Sequence, residues 1–169
     1  ANEVRRHGED AQLLLNDLIR VTAWRCWHGG AEGSSPSLSS NAMASRNQQI
    51  IDEFRSNEGR VGAGFEGRTL LLLHHRGAKT GIERVNPVAY QRLSDTAVAI
   101  FGSKGGAPTN PDWYYNLVAN PHVSVEIGTE TLAAHAHVAV GEEREQIWER
   151  QMRDWPGFAD YQERTRGVR

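Results

Sequence analysis

The stretch TLLLLHHRGAKTGIERVNPVAYQRL, residues 69–93, contains two apolar segments on either side of a short loop. The first segment, residues 69–75, is a continuous apolar run with glycines nearby on both sides, which is typical of a strand buried on both faces. Residues 84–93 predict a second strand, and residues 96–102 predict a third. Because only two residues separate the second strand from the third, these strands form an antiparallel hairpin.

Outward from this hairpin, the chain predicts helices placed between further strands. Helices are expected from Ser45 to residue 56, from Pro111 to Asn120 with Asn110 as the cap, and from Glu142 to Asp154. Residues 122–127 and 132–140 are expected to form the two strands of another hairpin. Antiparallel strands with helices between them define an α+β fold, either a sheet or a small barrel. The order is not βαβ, and the chain carries neither a dinucleotide nor a P-loop fingerprint.

Two short glycine loops bracket the first hairpin, and each carries a lysine. The loop at 77–81 contains Lys79, and the loop at 103–106 contains Lys104. Glycine lets the backbone approach a ligand, and lysine neutralises an anion there. Either loop alone is also explained as a solvated turn, because lysine and glycine are both common in turns. The two loops together, followed by a helix start at Asn110, favour a shared site for a polyanionic, phosphate-bearing small molecule.

Composition narrows the classes of function. A net charge of −2 over 169 residues with 38% hydrophobic residues describes one globular domain and argues against a nucleic-acid binder, which needs a broad basic surface. The single cysteine, Cys26, excludes an internal disulfide and fits a reducing cytoplasm. His135 and His137 share a strand face, but no carboxylate or cysteine completes the set, so no metal site is expected.

Residues 1–42 carry weaker helix and strand signals than residues 43–169, which we take as the functional domain. A helix is predicted around residues 10–25, and the glycine- and serine-rich segment 29–37 predicts a flexible linker. The helix is expected to pack on its own domain, with a membrane surface or a partner as alternatives. The sequence SNAM at 40–43 is typical of the residues that remain after an expression tag is cleaved off, followed by a native initiator methionine. This favours a vector origin for residues 1–42, and a chance occurrence of these four residues is the alternative.

Three motifs occur in a specific order along the chain. They are G-x-K-[ST]-G-x-x-R-x-N-P at 77–87, S-K-G-G at 103–106 and N-P-x-W-Y-x-N-L at 110–117. In combination they resemble the deazaflavin-dependent nitroreductase family of actinobacteria, over about residues 50–166. The resemblance implies a split β-barrel, mostly antiparallel with peripheral helices. It also implies the deazaflavin coenzyme F-420, whose phosphate and glutamyl tail carry the negative charge that the cationic loops require.

The resemblance also assigns roles to individual residues. The implied cofactor-binding residues are Ala78, Lys79, Thr80, Arg84, Val85, Asn86, Pro87, Val88, Gly102, Ser103, Lys104, Trp113, Tyr114 and Asn116. Within this set, Lys79, Thr80 and Arg84 would hold the tail and phosphate. Trp155, Phe158 and Tyr161 match the family's aromatic wall over the substrate, and Ser103 and Tyr161 are the candidates for catalysis.

The chain departs from the family pattern at several positions. Ala78 stands where the family usually has arginine, which removes one cation from the tail site. Trp155 and Phe158 occupy positions often held by tyrosine, so that only Tyr161 keeps a phenolic proton donor. Relatives continue beyond the position of Arg169 into one more apolar strand, so the resemblance predicts a barrel that lacks one strand.

The function implied is a cytoplasmic reductase that passes a hydride from reduced F-420 to a flat, electron-poor acceptor such as a quinone or a nitroaromatic. The cofactor supplies the chemistry, and the protein supplies orientation and a water-poor slot. An FMN- or haem-type oxidoreductase on the same barrel and a non-catalytic F-420 carrier are the alternatives. A homodimer and peripheral membrane association through the N-terminal segment are further expectations, and nucleic acid is not expected as a partner.

Overall fold

The structure is a computed structural model that describes residues 18–24, 42–62, 65 and 67–165. Within these residues the strands are β1 Leu18–Trp24, β2 Leu70–Arg76, β3 Glu83–Arg92, β4 Ala97–Phe101, β5 His122–Ile127 and β6 Glu130–Val138. The helices are α1 Ala42–Ser56, α2 Asp112–Ala119, α3 Gly141–Asp154 and α4 Phe158–Thr165. Among these helices, none combines the length and the apolar character needed to cross a bilayer.

The six strands close into an antiparallel barrel in the order β1-β4-β3-β2-β5-β6. The two predicted hairpins are present, since β3 pairs with β4 and β5 pairs with β6. Strand β2 pairs with β3 on one side and with β5 on the other, so both of its edges are hydrogen-bonded. The predicted α+β barrel with helices around it is therefore confirmed.

The leucine run of β2 is apolar throughout because both of its faces are covered. Leu71 and Leu73 pack inside the barrel, whereas Leu70 and Leu72 pack under α1 against Phe54. Leu71, Leu72 and Leu73 have no measurable exposure, and each leucine buried in this way contributes roughly 2 kcal/mol through its transfer from water. The prediction of a strand buried on both faces is confirmed, and this strand anchors the loop that follows it.

The helix predicted around residues 10–25 is wrong over the part that the structure describes. Residues 18–24 form β1, while the rest of that range lies outside the described residues. The pattern has period two rather than 3.6: Ile19 and Val21 are buried in the barrel core, and Arg20 between them donates to Glu143 on the outside. An amphipathic helix on a membrane surface is likewise not formed by residues 18–24.

Strand β1 corrects a second expectation, that the barrel would lack one strand. It fills the gap between β4 and β6, with Ile19 opposite Ile100 on one side and opposite Val138 on the other. The barrel thus includes a strand that precedes residue 43, and the predicted division of the chain into residues 1–42 and 43–169 stays a prediction. The vector origin of residues 1–42 stays a prediction.

Two helix starts also differ from their predictions. Helix α2 begins at Asp112 with Pro111 as its N-cap and without a side-chain cap, so Asn110 does not cap it. Asn110 lies two residues before the helix and is buried. Helix α1 begins at Ala42, one turn before the predicted start at Ser45.

Removal of residues 1–24 is expected to abolish cooperative unfolding, because β4 and β6 lose their shared partner and core residues such as Ile100 lose their cover. Urea titration followed by circular dichroism measures this directly.

A matched pair of variants tests whether the effect comes from the barrel face of β1. Val21→Asn, which places an amide inside the barrel, should cost roughly 2–4 kcal/mol, whereas Thr22→Asn on the outer face should change stability by less than about 0.5 kcal/mol. Equal stability of the truncated and full chains would show that β1 does not close the barrel.

Candidate functional site

A cavity of about 860 Å³ runs along the second half of β3. Its walls are formed by residues 67–69, 87–92, 101, 103–105, 111, 113, 150, 151, 154, 155, 158 and 161, with Phe65. These residues come from β3, the loop after β4, the start of α2, and the adjoining ends of α3 and α4. The cavity is therefore bounded by sheet on one side and by helices on the other, and it is large enough for a planar ring system.

The structure brings together only part of the predicted site in this cavity. The predicted residues that line it are Pro87, Val88, Ser103, Lys104, Trp113, Trp155, Phe158 and Tyr161. The predicted residues that do not line it are Ala78, Lys79, Thr80, Arg84, Val85, Asn86, Gly102, Tyr114 and Asn116. The second loop thus reaches the cavity wall, whereas the first loop lies outside it.

Helix α2 connects the two loops. The Asn116 side-chain oxygen accepts a hydrogen bond from the backbone N–H of Ala78 in the first loop, with an N–O distance of 2.8 Å. Trp113, about one turn earlier on the same helix, lines the cavity together with Ser103 and Lys104 of the second loop. Both loops therefore lie beside α2, the first in contact with Asn116 and the second beside Trp113 in the cavity wall.

The first loop is a compact turn with an exposed cationic surface. The Gly77 N–H donates to the Ile82 carbonyl at 2.9 Å, and the Gly81 N–H donates to the Gly77 carbonyl at 2.8 Å. A side chain at Gly77 would come within 2.5 Å of the Thr80 hydroxyl, so the turn requires glycine there. Lys79 and Arg84 are exposed, and among the described residues no carboxylate pairs with either.

The second loop holds Lys104 at the rim of the cavity. Lys104, Gly105 and Gly106 have φ angles of 45°, 65° and 79°, a run of left-handed backbone that favours glycine. A side chain at Gly106 would approach the Tyr161 backbone to 3.3 Å, so glycine lets α4 pack against this loop. The Lys104 ammonium donates to the Thr109 hydroxyl at 3.2 Å. The left-handed conformation of Lys104 costs on the order of 1 kcal/mol, and it fixes the lysine beside the cavity.

A buried histidine supports the first loop from beneath. His75 is 4% exposed; its Nε2 lies 2.8 Å from the Asn86 side-chain oxygen, and its Nδ1 lies 3.2 Å from the Asn116 side-chain nitrogen. An amide oxygen only accepts, so Nε2 carries the proton and Nδ1 accepts from Asn116. Burial lowers the pKa of His75, the bond to Asn86 partly opposes this, and the charge of Arg84 lowers it further. The neutral imidazole thus orients both amides.

This network changes the interpretation of two predicted residues and adds one. Asn86 and Asn116 were assigned to the cofactor groove, but in the structure their side chains face His75 rather than the cavity. His75 was not among the predicted site residues. The available signal was its place in a strand buried on both faces, where a polar side chain must find hydrogen-bond partners.

An aromatic wall covers the cavity opposite the sheet. The Phe158 ring centroid lies 5.4 Å from that of Phe101, 5.1 Å from that of Trp155 and 5.3 Å from that of Tyr161. Phe158 is only 5% exposed, so it supports the wall from behind, while Trp155 and Tyr161 are more accessible. The guanidinium of Arg68 lies 4.0 Å from the centre of the Trp155 ring. The wall suits a flat ligand.

The histidine pair considered for metal binding is engaged in other contacts. His135 packs edge-on against His122, with ring centroids 5.1 Å apart, and His137 lies 3.3 Å from a Glu143 oxygen. Within the described part of the chain, no three His, Cys, Asp or Glu residues are placed to hold one ion. Cys26 lies outside the described residues.

Comparison with known proteins identifies the family. A family model described as "F420H(2)-dependent quinone reductase" matches residues 46–168, and the chain belongs to this family. A protein of the same description from Mycobacterium tuberculosis is 42% identical over 84 residues, which are 49% of this chain and 56% of the relative. A putative reductase of that description from the same organism is 35% identical over 111 residues, covering 64% of this chain and 92% of the relative. The chain thus spans little more than half the length of the first of these relatives.

Solved structures agree with the barrel. One described as an F420-H2 dependent reductase (FDR-A) superimposes with a TM-score of 0.53 and 37% identity, over 62% of this chain and 91% of that one. Another, described as a domain-swapped dimer, gives a TM-score of 0.53 and 32% identity, over 72% of this chain and 89% of that one. The predicted family and the split-barrel fold are both confirmed.

The His75 network predicts a pH dependence of folding. Because the pKa of His75 is lowered in the folded chain, the unfolded chain binds a proton there at a higher pH than the folded chain does. This contribution to stability is therefore complete above about pH 6.5, the ordinary histidine pKa, and is lost as the pH falls below it toward the folded pKa. Urea midpoints between pH 5 and 7.5 measure the slope.

Two variants test whether His75 causes the pH dependence of the urea midpoint. His75→Gln, which keeps a hydrogen-bonding side chain without a charge in this range, is expected to flatten the profile. His122→Gln, a matched change at an exposed histidine, should leave the slope of the wild-type profile unchanged. Parallel profiles for wild type and His75→Gln would contradict a role for His75.

Proposed function

We propose that this chain is a reductase that uses reduced coenzyme F-420 and delivers a hydride to a flat, electron-poor acceptor, either a quinone or a nitroaromatic. The observation that carries the proposal is that α2 holds one cationic glycine loop through Asn116 and, through Trp113, lines a cavity with an aromatic wall that the other cationic loop also lines. The names of its relatives, which describe reductases dependent on reduced F-420, support the same cofactor for this chain.

The residues present fit the charge and shape of this cofactor. Lys79 and Arg84 are exposed and have no carboxylate partner among the described residues, so they can hold a phosphate or the glutamyl tail. Lys104 is exposed and lines the cavity, so it can contact the phosphate of a cofactor whose ring lies in the cavity. Ala78 contributes no charge, and its N–H is already used by Asn116, so we assign the tail to Lys79 and Arg84.

The cavity supplies orientation for the reaction. When bound, the deazaflavin supplies the hydride. Val88 and Trp113 wall the end of the cavity nearest the loops, where a planar ring would be held flat and away from water. Ser103 and Tyr161 both line the cavity, and we assign Ser103 to hydrogen-bonding of the ring or acceptor and Tyr161 to proton delivery.

We extend the proposal to location and assembly. A cytoplasmic location is proposed from the single cysteine and the redox cofactor. A homodimer is proposed because a related solved structure is described as a domain-swapped dimer. In this chain β1 is the natural element to exchange, since 17 residues, 25–41, separate it from α1.

Stopped-flow mixing of the protein with reduced F-420 and menadione tests the activity. The expected result is re-oxidation of the deazaflavin at a rate proportional to protein concentration, with p-nitrobenzoate esters as second acceptors. Tight cofactor binding without turnover would instead identify a carrier. A bound FMN or haem spectrum in the purified protein would assign the cavity to another cofactor. Failure to re-oxidise with any quinone or nitro compound contradicts the proposal.

A further inference from the structure

The cavity has a second cationic end that the loops and the proposed cofactor contacts do not use. It extends along β3 from Pro87 to Arg92, and at about 3.4 Å per residue its two ends lie roughly 17 Å apart. Lys104 stands at the first end. Arg68, Arg92 and Arg150 line the other end, together with Asp154.

Strand pairing fixes this grouping. The Tyr90 N–H donates to the Thr69 carbonyl at 3.1 Å, which places Arg68 beside the last residues of β3. From the other side, the Gln91 side chain donates to the Gln151 oxygen at 3.1 Å, which holds the end of α3 against the same part of β3. The arginines therefore come from three different segments and meet at one end of the cavity.

Of these three guanidinium groups, that of Arg68 lies nearest to the centre of an aromatic ring. Arg150 pairs with Asp154 at 3.6 Å, and Arg92 donates to the Tyr90 hydroxyl at 3.4 Å. Arg68 stacks 4.0 Å from the centre of the Trp155 ring, and no described carboxylate pairs with it. A guanidinium that stacks through its face keeps its edge N–H groups for an anion, and the stack restricts its motion.

A second observation at the same end points to a ligand. The side chain of Gln91 is buried, with 7% of the residue exposed, and its oxygen has no hydrogen-bond partner among the described residues. Gln91 lines the cavity, but its oxygen has almost no accessible surface, so a ligand that donates to it must displace part of the cavity wall. One hydride and one proton together convert the two carbonyls of a quinone into the two hydroxyls of a hydroquinone, and a hydroxyl is such a donor.

From these observations we infer that the Arg68 end of the cavity is an anion subsite for the acceptor. The acceptor class is a flat aromatic ring that bears a carboxylate or sulfonate, with the ring against Trp155 and the anionic group on the edge of Arg68. This inference rests on the proposed function, since it places the acceptor between the deazaflavin ring and Arg68. The glutamyl tail of the cofactor has the same chemistry, and the experiment below separates the two sources.

Isothermal titration calorimetry with naphthalene-2-sulfonate and naphthalene-2-sulfonamide, two probes of equal shape and different charge, tests the subsite without turnover. Wild type is expected to bind the sulfonate at least tenfold more tightly, and the preference should shrink with added salt. Arg68→Gln should abolish the preference, and Arg68→Lys, which keeps the charge but loses the stack, should reduce it. Arg60→Gln, at an exposed arginine outside this cavity, serves as the control and should match wild type.

Equal affinity for the two probes in wild type, or an unchanged preference in Arg68→Gln, would overturn the inference. Repeating the titration with saturating F-420 separates the sources: retained sulfonate binding supports an acceptor subsite, whereas full competition assigns the anion site to the cofactor tail and overturns it. If F-420 does not bind, the proposed function fails. The comparison of sulfonate and sulfonamide affinities in the free wild-type protein and in Arg68→Gln still tests the subsite. The two failures are therefore distinguishable.

Discussion

The hydrogen bond from the Ala78 N–H to the Asn116 side chain is the contact on which the proposed site depends. It ties the loop after β2 to α2, and α2 in turn carries Trp113 into the cavity beside the second loop. The bond is itself held in place, because His75 accepts from the Asn116 amide nitrogen and donates to Asn86. One buried, neutral histidine thus helps to hold the first loop against α2, the helix that lines the cavity together with the second loop.

Much of the fold could be predicted from the sequence because its signals are local. The leucine run of β2, the short turn before β4 and the glycine loops follow from residue types at neighbouring positions. The helix starts were less well predicted, since Asn110 is drawn into the interior instead of capping α2. The role of His75 depends on which amides face its two ring nitrogens across the barrel, and no pattern within one strand contains that information.

Strand β1 shows the same limit on a larger scale. Its seven residues carry enough apolar character for either an amphipathic helix or an edge-filling strand. The strand is preferred because β4 and β6 would otherwise leave two open edges, and both lie far along the chain. The departures from the family pattern at Ala78, Trp155 and Phe158 have local structural explanations. The contact between the first loop and Asn116 uses the backbone N–H of Ala78 and needs no side chain there. The rings of Trp155 and Phe158 pack against each other, with centroids 5.1 Å apart and planes tilted by 53°.

A double-mutant cycle on F-420 affinity tests most directly whether the two loops bind one ligand. Dissociation constants are measured for wild type, Lys79→Ala, Lys104→Ala and the double variant, with Arg60→Ala as control. The account predicts about five- to tenfold weaker binding for each single change and a further loss in the double variant, with the control unchanged. If either lysine can be removed without effect on F-420 affinity, the loops do not share the cofactor and the account is contradicted.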